Sequence, residues 1–405
     1  MLSVDEALAL VLEHVEPLPS VNVSASDALG MVLNEDVISD VNSPPHNKST
    51  MDGYAVVSSD SGELRVIEEV AAGDVPHHAV TPGSTTRIMT GSPIPEGADA
   101  VVIVERTETI DGDRVRLLDP TITAGQNIMP LGTSLRRDEV VLTRGTEIRP
   151  VEIGLLAEVG HTRVEVTPWP SVAVLSTGNE LVPPGEVPTA GHLRNSNGPM
   201  LTAAVVRTGA KAIHLGTAPD DKQALDQMAR SGLEHDVLIL SGGVSAGLYD
   251  LVPQILTELG VEQVFHKVRL KPGKPMWFGV KDSGERRTMV FALPGNPVSS
   301  LVCFELFVRA AIHRLAGRRQ VERVRTTARL GIEYHQTCDR DTYHPARLTS
   351  DAPLPRVEPV PWRGSGDLRA LADANALIVL PAGDHFLADG DEVEVIWLDE
   401  TCCRP

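Results

Sequence analysis

The strongest constraint on the fold is a repeated alternation of short apolar runs and helical patterns in the middle of the chain, after Trp169-Pro170. Three apolar runs, at residues 172–175, 237–240 and 289–293, indicate strands, and a further strand is predicted at residues 211–215. Strands that alternate with helices form a mostly parallel sheet covered by helices, and such sheets bind ligands beyond the carboxyl ends of their strands. We therefore predict a central α/β domain over residues 169–320.

Several helices of this domain are predicted from capping residues. Asn197 and Asp221 each precede a stretch with helical periodicity, and Asp250 precedes another. Short polar side chains at these positions accept hydrogen bonds from the free N–H groups of the first helical turn. A further long helix is expected to begin near Pro297, because proline is favoured in the first turn.

The segments on either side of this domain have a different pattern. Ser3-Val4-Asp5-Glu6 has capping-box spacing and predicts an amphipathic helix. Short alternating runs broken by glycine, proline and aspartate then extend from about residue 21 to residue 142, and they indicate an antiparallel β-rich region. A second helix is expected from Arg149-Pro150 to Gly160, and short strands return after about residue 321.

The overall charge limits the classes of partner. The chain has 36 Lys+Arg against 55 Asp+Glu, a net charge of −19, which disfavours nonspecific binding to nucleic acid and to anionic membranes. Aromatic residues make up only 3% of the chain, too few for base-stacking surfaces. An anionic substrate would therefore need a local basic pocket.

Cysteine usage and the first residues favour a cytoplasmic location. The cysteines have no CxxC spacing, which argues against a zinc site or a disulfide framework. They are Cys303, Cys338, Cys402 and Cys403. The first residues lack the basic and apolar regions of a signal peptide, and no stretch reaches the roughly 20 apolar residues of a membrane span. We expect an intracellular protein in a reducing cytoplasm.

Two loops after predicted parallel strands have the composition of anion-binding turns. Ser176-Thr177-Gly178 follows one strand, and Ser241-Gly242-Gly243 follows another. Small residues let backbone N–H groups and hydroxyls approach an anion closely. Glycine-rich turns also occur for tight packing alone, but two of them at one edge of the same sheet favour a ligand site.

The basic pocket is predicted at Lys271-Pro272-Gly273-Lys274-Pro275, a stiff turn that carries two ammonium groups. Exposed turns of this composition usually have no function, yet this one follows a predicted anion site in a very acidic chain. The segment from Pro294 to Ser299 then leads from a strand into a helix, where the first N–H groups favour an anion. The alternative is a helix start with nothing bound.

Carboxylates in the same loops indicate a divalent cation. Glu180, Asp220, Asp221 and Asp250 would repel a bound phosphate unless a cation intervened, and hard oxygen ligands suit Mg²⁺. Asp221 and Asp250 have an equally good structural explanation as helix caps. Glu180 is harder to explain structurally, because it lies within the glycine-bearing turn itself.

Taken in order, these motifs resemble the molybdopterin molybdenumtransferase family, which includes MoeA and the E domain of gephyrin. The resemblance covers essentially the whole chain and adds two polar loops of the β-rich region. The matching segments lie at residues 49–55, 89–93, 177–181, 195–198, 241–245, 271–275, 293–299 and 364–366. So many motifs in one order make the resemblance specific.

The resemblance implies a multidomain fold, α/β plus β, in an elongated chain that forms a homodimer. A discontinuous N-terminal linker and dimerisation domain would span residues 1–44 and 142–168. A β-rich domain would span residues 45–141. The central parallel-sheet domain, a pterin-binding domain similar to MogA, would span residues 169–320. A small β-barrel-like domain would span residues 321–405.

The resemblance also implies an enzyme. The chain would insert molybdate into adenylylated molybdopterin with release of AMP, a Mg²⁺-dependent step of molybdenum cofactor biosynthesis. Its partners would be these small molecules, a second copy of the chain, the molybdopterin adenylyltransferase and acceptor molybdoenzymes. No nucleic acid or membrane partner is implied.

The roles of the family's residues carry over onto matching positions. The catalytic cleft for the pterin nucleotide corresponds to Asp52, Thr90, Glu180, Asp220 and Asp250. The Mg²⁺ ligands would be Glu180, Asp220 and Asp250. The set that binds molybdate and pterin corresponds to Lys271, Lys274, Pro275, Ser299, Arg340, Ser365, Ser176, Thr177, Gly178, Ser241, Gly242, Gly243 and Asn296. Cations and hydroxyls can hold the molybdate dianion by charge-assisted hydrogen bonds.

The chain departs from the family pattern in three loops. Residues 129–134 lack an arginine and an aspartate that the family's run contains. Asn179 replaces an aspartate, and Leu248 replaces a glutamate. Each change removes charge near the cleft. Two alternatives therefore stay open: a catalytically altered paralogue that binds molybdopterin as a scaffold or carrier, and an enzyme that handles tungstate.

Overall fold

The computed structural model describes residues 1–244, 251–284, 286–349 and 354–398 of the chain. Contacts divide the chain into two compact units. The large unit comprises Met1–Val21, Gly30–Val32 and Glu165–Pro405, and the small unit comprises Asn22–Leu29 and Leu33–Val164. The predicted division into four domains is finer than this one and stays a prediction. Asp250, Cys402 and Cys403 lie outside the described residues.

Short strands dominate the first part of the chain. They are β1 (Val21–Ser24), β2 (Val32–Leu33), β3 (Val37–Ile38), β4 (Lys48–Ser49), β5 (Gly53–Val56), β6 (Glu63–Val70), β7 (Ser84–Ile88), β8 (Ala100–Ile103), β9 (Thr107–Asp111), β10 (Arg114–Leu117), β11 (Ile128–Met129) and β12 (Val140–Leu142). Six of them form one sheet in the order β8-β5-β7-β6-β10-β9.

This sheet is antiparallel as predicted, with one exception. Strands β6 and β7 run parallel, so the prediction of a purely antiparallel region was wrong there. The cause is the connection of residues 71–83, which is long enough to carry the chain back to the end at which β6 began.

Two helices accompany the β-rich region. Helix α1 (Val4–Glu13) begins at the predicted capping box, in which the Ser3 hydroxyl accepts from the Glu6 N–H and the Glu6 carboxylate accepts from the Ser3 N–H. Helix α2 (Pro150–Glu158) begins at the predicted proline. It is followed by Gly160 at φ +78°, a conformation that favours glycine and ends helices. Both predicted helices are confirmed.

The central sheet positions the candidate site. Its region of the chain contains β13 (Arg163–Thr167), β14 (Ser171–Thr177), β15 (Leu181–Val182), β16 (Leu193–Arg194), β17 (Lys211–Ala218), β18 (Val237–Ser241), β19 (Glu262–His266), β20 (Leu270–Lys271), β21 (Trp277–Asp282) and β22 (Arg287–Leu293). Six strands form the sheet, in the order β17-β14-β18-β22-β21-β19. The first four run parallel, and β21 and β19 are antiparallel at one edge.

Three of the parallel strands, β14, β18 and β22, are largely apolar because the sheet is buried on both faces there, whereas the edge strand β17 is partly exposed. In β18, Ile239 packs into one core cluster, while Leu238 and Leu240 pack into the other. Strands β14 and β22 repeat this alternation, so these strands present apolar side chains to both layers of helices. The predicted mostly parallel α/β domain is confirmed.

The helices of this domain are α3 (Asn197–Arg207), α4 (Lys222–Gly232), α5 (Leu251–Glu258), α6 (Pro297–Cys303) and α7 (Arg309–Leu315), with a π-helical segment at Phe304–Val308. Asp221 caps α4 as predicted, accepting from the Gln223 and Ala224 N–H groups. The cap predicted at Asn197 was wrong, because the Asn195 side chain accepts from the Gly198 N–H instead. In the described part of the chain, no helix is long and apolar enough to cross a membrane.

The last part of the chain forms a closed barrel. It contains β23 (Arg325–Leu330), β24 (Tyr334–Cys338), β25 (Asp341–Thr349), β26 (Arg356–Pro359), α8 (Leu368–Ala372), β27 (Ala376–Leu380), β28 (Gly383–Leu387) and β29 (Glu392–Trp397). Strands β25, β26, β23, β29 and β27 pair in this order, and β27 pairs back onto β25. The predicted barrel-like domain is confirmed. Strand β20 adds to the barrel alongside β25, where Lys271 lies opposite Thr342.

Candidate functional site

A rigid turn carries the two predicted lysines. The Val268 N–H donates to the Lys274 carbonyl at 3.0 Å, which closes the turn at its base. Gly273 has φ +127°, and a Cβ there would lie 2.6 Å from the buried Cys303 Sγ. Only glycine satisfies both conditions, so the close approach of the turn to the helix beneath it fixes where Lys271 and Lys274 stand.

A cavity of about 540 Å³ opens beside this turn. It collects seven of the residues predicted to bind molybdate or pterin: Lys271, Lys274, Pro275, Asn296, Ser299, Arg340 and Ser365. They come from β20 and the turn after it, from α6 and the loop before it, from the turn between β24 and β25, and from the loop before α8. The structure thus brings together residues that are up to 94 positions apart, counted from Lys271 to Ser365.

The polar groups at the start of α6 are interlocked with the loop before α8. The Val298 N–H donates to the Ser365 carbonyl at 3.0 Å, and Asn296 Nδ2 donates to Ser365 Oγ at 2.8 Å. One N–H group of the first helical turn is therefore already occupied, which corrects the expectation that these groups are free for an anion. Ser299, only 4% exposed, lines the cavity on the same side.

Arg340 is held at the edge of the cavity by its neighbour. Its Nε donates to Asp339 Oδ1 at 2.9 Å, and Nη1 lies 3.5 Å from the Leu270 carbonyl oxygen. The Arg340 guanidinium holds the pKa of Asp339 below its usual range. The arginine therefore reaches the cavity with part of its charge already compensated.

Aromatic residues of the cavity lining were not among the predicted site residues. They include Tyr334, His335, His344 and Trp362. His344 is 5% exposed, and its ring lies edge-on to Tyr334 and to Trp362, with centroids 5.2 Å from each. Burial lowers the pKa of His344, and the nearby Lys271 lowers it further. These residues belong to an alternating barrel pattern and its loops, so no sequence motif distinguished them.

The two glycine-bearing loops after β14 and β18 lie against each other. Gly242 has φ +104°, and a Cβ there would lie 2.6 Å from the Thr177 carbonyl oxygen. Asn197 Nδ2 donates to Ser241 Oγ and to the Gly295 carbonyl, both at 2.7 Å, which ties a third loop to the second. The juxtaposition of Ser176, Thr177, Gly178, Ser241, Gly242 and Gly243 at one sheet edge is thus present in the structure.

Two of the predicted carboxylates, Glu180 and Asp220, lie in the loops after β14 and β17. Asn179 and Asp220 exchange two hydrogen bonds, from the Asn179 N–H to Asp220 Oδ2 at 3.2 Å and from the Asp220 N–H to Asn179 Oδ1 at 3.0 Å. The Glu180 carboxylate folds back over Gly178, with its oxygens 2.5 and 2.7 Å from a Cβ placed there. Across the described ranges, no three His, Cys, Asp or Glu side chains are grouped as a metal site.

Asp52 and Thr90 pair within the small unit. Asp52 Oδ1 accepts from the Thr90 N–H at 2.6 Å and from its hydroxyl at 2.7 Å. These bonds, the hydroxyl first, lower the pKa of Asp52. The two bonds therefore favour the ionised carboxylate and orient it. Asp52 and Thr90 lie in separate loops of the sequence. Their spacing along the chain did not predict that they would contact each other.

The loop that departs from the family pattern lines a separate cavity of the small unit, of about 740 Å³. Gly132 and Thr133 share its wall with Arg136, Arg137 and Asp138. Charges of both signs thus stand a few residues after the positions at which the arginine and aspartate are missing.

Fold and cavity together define the class: an α/β protein whose parallel-sheet domain and C-terminal barrel jointly line a basic, hydroxyl-bearing cavity suited to a small anion. Three family models match successive regions of the chain. Residues 2–160 match the MoeA N-terminal region (domain I and II), residues 173–314 match the "Probable molybdopterin binding domain", and residues 327–398 match the MoeA C-terminal region (domain IV).

Curated relatives extend the match to the whole chain. Molybdopterin molybdenumtransferase of Staphylococcus aureus strain N315 is 33% identical over 402 residues, 97% of this chain and 94% of the relative. That of Staphylococcus epidermidis is 32% identical over 405 residues, covering 98% and 95%. The chain therefore belongs to the molybdopterin molybdenumtransferase family, as the motifs indicated.

Solved structures agree with this assignment. The crystal structure of the molybdopterin biosynthesis MoeA protein from Pyrococcus horikoshii aligns with a TM-score of 0.82 at 31% identity, covering 98% of this chain and 99% of the other. A molybdenum cofactor biosynthesis protein from Pyrococcus furiosus aligns at 0.58 and 20% identity over the same shares, which shows the fold alone. The predicted multidomain architecture and the predicted enzyme class are confirmed.

Proposed function

We propose that this enzyme inserts molybdate into adenylylated molybdopterin and releases AMP, as a Mg²⁺-dependent step of molybdenum cofactor biosynthesis. The observation that carries the proposal is the cavity beside the Lys271–Pro275 turn. In a chain of net charge −19, it gathers two lysines and an arginine around buried and half-buried hydroxyls. That donor set suits a tetrahedral oxyanion with two negative charges.

The chain's own groups account for the binding of the oxyanion. Lys271 and Lys274 are point charges on a turn that a backbone hydrogen bond closes and that packs closely at Gly273, and Ser299 and Ser365 offer hydroxyl donors. Donors held in place before the substrate arrives lose little free energy to reorganisation, so they lower the barrier when charge develops. Positioning and charge neutralisation supply the rate in this proposal, without a protein nucleophile.

The pterin nucleotide would occupy the edge formed by the loops after β14 and β18. Thr177 Oγ1 supports this placement, because it is buried there without a hydrogen-bond partner among the described residues. Gly178, Gly242 and Gly243 leave room for a ligand's approach where side chains would obstruct it. Asp52 and Thr90 would complete the catalytic set, together with Glu180, Asp220 and Asp250.

Magnesium fits the residues present at the turn after β14. Mg²⁺ commonly takes one or two protein carboxylates and completes its shell with substrate phosphates and water. Glu180 and Asp220 provide such carboxylates on adjacent loops, and Asp250 is the third residue proposed. When bound, the ion would polarise the phosphate bond of the nucleotide.

The remaining assignments belong to the same proposal. The enzyme would act in the cytoplasm as a homodimer, with domains at residues 1–44 with 142–168, 45–141, 169–320 and 321–405. It would receive its substrate from the molybdopterin adenylyltransferase and pass its product to acceptor molybdoenzymes. These assignments rest on the family to which the chain belongs.

The decisive experiment measures AMP release from adenylylated molybdopterin with and without molybdate. We expect Lys274→Ala to lower kcat/KM about 10- to 100-fold, the effect of removing one charge-assisted hydrogen bond. Lys281→Ala is the matched control, because Lys281 lies near the end of β21 and does not line the cavity. Wild-type activity no greater than a no-enzyme reaction would overturn the proposal.

A second candidate follows from the departing loop at residues 129–134. A catalytically altered paralogue would bind molybdopterin as a scaffold or carrier and would release no AMP. Tungstate in place of molybdate is the third possibility, since the two oxyanions are similar in size and charge. The AMP-release assay with each oxyanion, together with a measurement of pterin binding, distinguishes the molybdate enzyme, the scaffold or carrier, and the tungstate enzyme.

A further inference from the structure

The Ser365 hydroxyl depends on a loop that has no regular structure of its own. Residues 360–367 connect β26 to α8, and Gly364 within them has φ +117°. No strand or helix includes residues 361–366, so the segment is held by individual contacts: the backbone bond from the Val298 N–H to the Ser365 carbonyl and the bonds made by side chains. Since Ser365 lines the oxyanion cavity, whatever holds this loop also sets the position of a cavity donor.

The indole of Trp362 makes the first of these contacts. Its Nε1–H donates to the Gly364 carbonyl at 2.5 Å, immediately before Ser365. The same carbonyl accepts from the Asp367 N–H at 3.0 Å, so both ends of the loop converge on it. Trp362 is half-buried and also lines the cavity.

The barrel in turn holds the indole. The His344 ring lies edge-on to Trp362 at 87°, with centroids 5.2 Å apart. His344 belongs to β25, opposite Ile378 of β27, and its Nδ1–H donates to the Pro345 carbonyl at 2.8 Å. Its ring orientation is therefore fixed by a paired strand, and edge-to-face contact transmits that orientation to Trp362.

Contacts between Ser365 and the start of α6 determine which partners the Ser365 hydroxyl proton can reach. Ser365 Oγ accepts from Asn296 Nδ2, and the Ser365 carbonyl accepts from the Val298 N–H. A hydroxyl has one proton to donate, and this one is not used toward Asn296, which is itself the donor. The hydroxyl proton is thus available for an oxyanion in the cavity.

From this chain of contacts we infer that Trp362 is a positioning residue: it holds the Gly364–Ser365 segment so that the Ser365 hydroxyl donates to the bound oxyanion. The inference rests on the proposed function only for the identity of that oxyanion. Trp362 would bind nothing itself. Its effect would pass through Ser365 alone.

The test is a set of molybdate titrations by isothermal calorimetry on the full chain. Trp362→Phe keeps the ring and removes the N–H donor, and we expect it to raise the Kd for molybdate about three- to tenfold. Trp277→Phe is the matched control, because it removes a 2.8 Å indole bond to Gln263 in the same unit, away from the cavity. We expect its Kd to equal that of the wild type.

A double-variant cycle distinguishes positioning from general damage. In a Ser365→Ala background, Trp362→Phe should raise the Kd no further, whereas additive losses would overturn the inference. Hydrogen exchange gives a readout independent of activity: the Val298 amide should exchange faster in Trp362→Phe and normally in Trp277→Phe. If Trp362→Phe folds poorly, Trp362→Tyr replaces it in the cycle.

These measurements separate the two proposals. Wild-type protein that binds molybdate but releases no AMP contradicts the proposed reaction and leaves the titrations valid. An unchanged molybdate Kd and unchanged Val298 exchange in Trp362→Phe contradict the positioning role, whatever the AMP assay gives. If wild-type protein binds no molybdate, the positioning role toward that oxyanion is also refuted.

Discussion

The three cations of the cavity, Lys271, Lys274 and Arg340, differ in exposure and in charge pairing. Lys274 is exposed on its turn, and Lys271 is half-buried beside the neutral ring of His344. Arg340 shares its charge with Asp339. Burial of a neutral histidine instead of a charged one keeps like-charge repulsion out of the cavity. The site therefore concentrates positive charge without placing a fourth cation against Lys271.

A second buried histidine makes the large unit sensitive to acid. His313 in α7 is 3% exposed, and burial, followed by Arg309, Arg318 and Arg323, lowers its pKa to about 3. The unfolded chain binds a proton near pH 6.5 and the folded chain does not, so stability is lost as pH falls from about 6.5 toward 3. One such group removes up to about 1.4 kcal/mol of unfolding free energy per pH unit.

His313→Gln should flatten this dependence between pH 6.5 and 5. Urea unfolding monitored by tryptophan fluorescence at several pH values measures it. His192→Gln, at an exposed histidine, is the control and should leave the slope unchanged. A variant slope equal to that of the wild type would show that other groups cause the acid sensitivity.

The residues that the sequence identified and those that it missed differ in kind. Lys271, Lys274 and Ser299 stand in short motifs whose composition is unusual in an acidic chain, so they were predictable. His344 and Trp362 act through ring packing between segments that are distant in sequence. Alternation along β25 indicates only that a residue faces the barrel interior, and it does not indicate which ring lies opposite.

At the scale of secondary-structure elements, the loops at the sheet edge depend on close backbone approach. Gly242→Ala would place a Cβ 2.6 Å from the Thr177 carbonyl at φ +104°. We expect a loss of about 2–4 kcal/mol, combining backbone strain with displacement of the loop after β14. Thermal melting of the large unit measures the loss.

A control variant measures the cost of the positive φ alone, without a steric contact. Gly260→Ala has a similar positive φ, +80°, with nothing within 4 Å of the added Cβ. It should cost only about 1–2 kcal/mol. Equal losses for the two variants would mean that the contact with Thr177 contributes nothing.

Elements were predictable where local pattern and burial agree. Three strands of the parallel sheet, β14, β18 and β22, are largely apolar because both faces are covered, and α1 and α4 begin at side chains that cap them locally. The errors arose where tertiary contacts decide. Asn197 was assigned to a cap, but it bridges Ser241 and Gly295, and those partners lie 44 and 98 residues away.

At the scale of the whole molecule, the positive charge of the cavity contrasts with the negative net charge of the chain. A net charge of −19 repels molybdate at long range, yet the cavity beside the Lys271–Pro275 turn attracts it at short range. Salt screens both interactions, and a partly enclosed cavity is screened less than an exposed surface. Binding specificity for a dianion therefore comes from the local arrangement of donors and not from the field of the molecule.

Unfolding of the large unit can test whether molybdate binds in the cavity beside the Lys271–Pro275 turn. All four tryptophans, Trp169, Trp277, Trp362 and Trp397, belong to the large unit, so tryptophan fluorescence follows that unit alone. A ligand at 100 times its Kd stabilises the state that binds it by about 2.7 kcal/mol. Because the cavity lies entirely in the large unit, molybdate should raise the fluorescence-detected melting temperature. Lys274→Ala should reduce the increase, and Lys281→Ala should retain it. An increase that persists undiminished in Lys274→Ala would place the stabilising molybdate elsewhere than in this cavity.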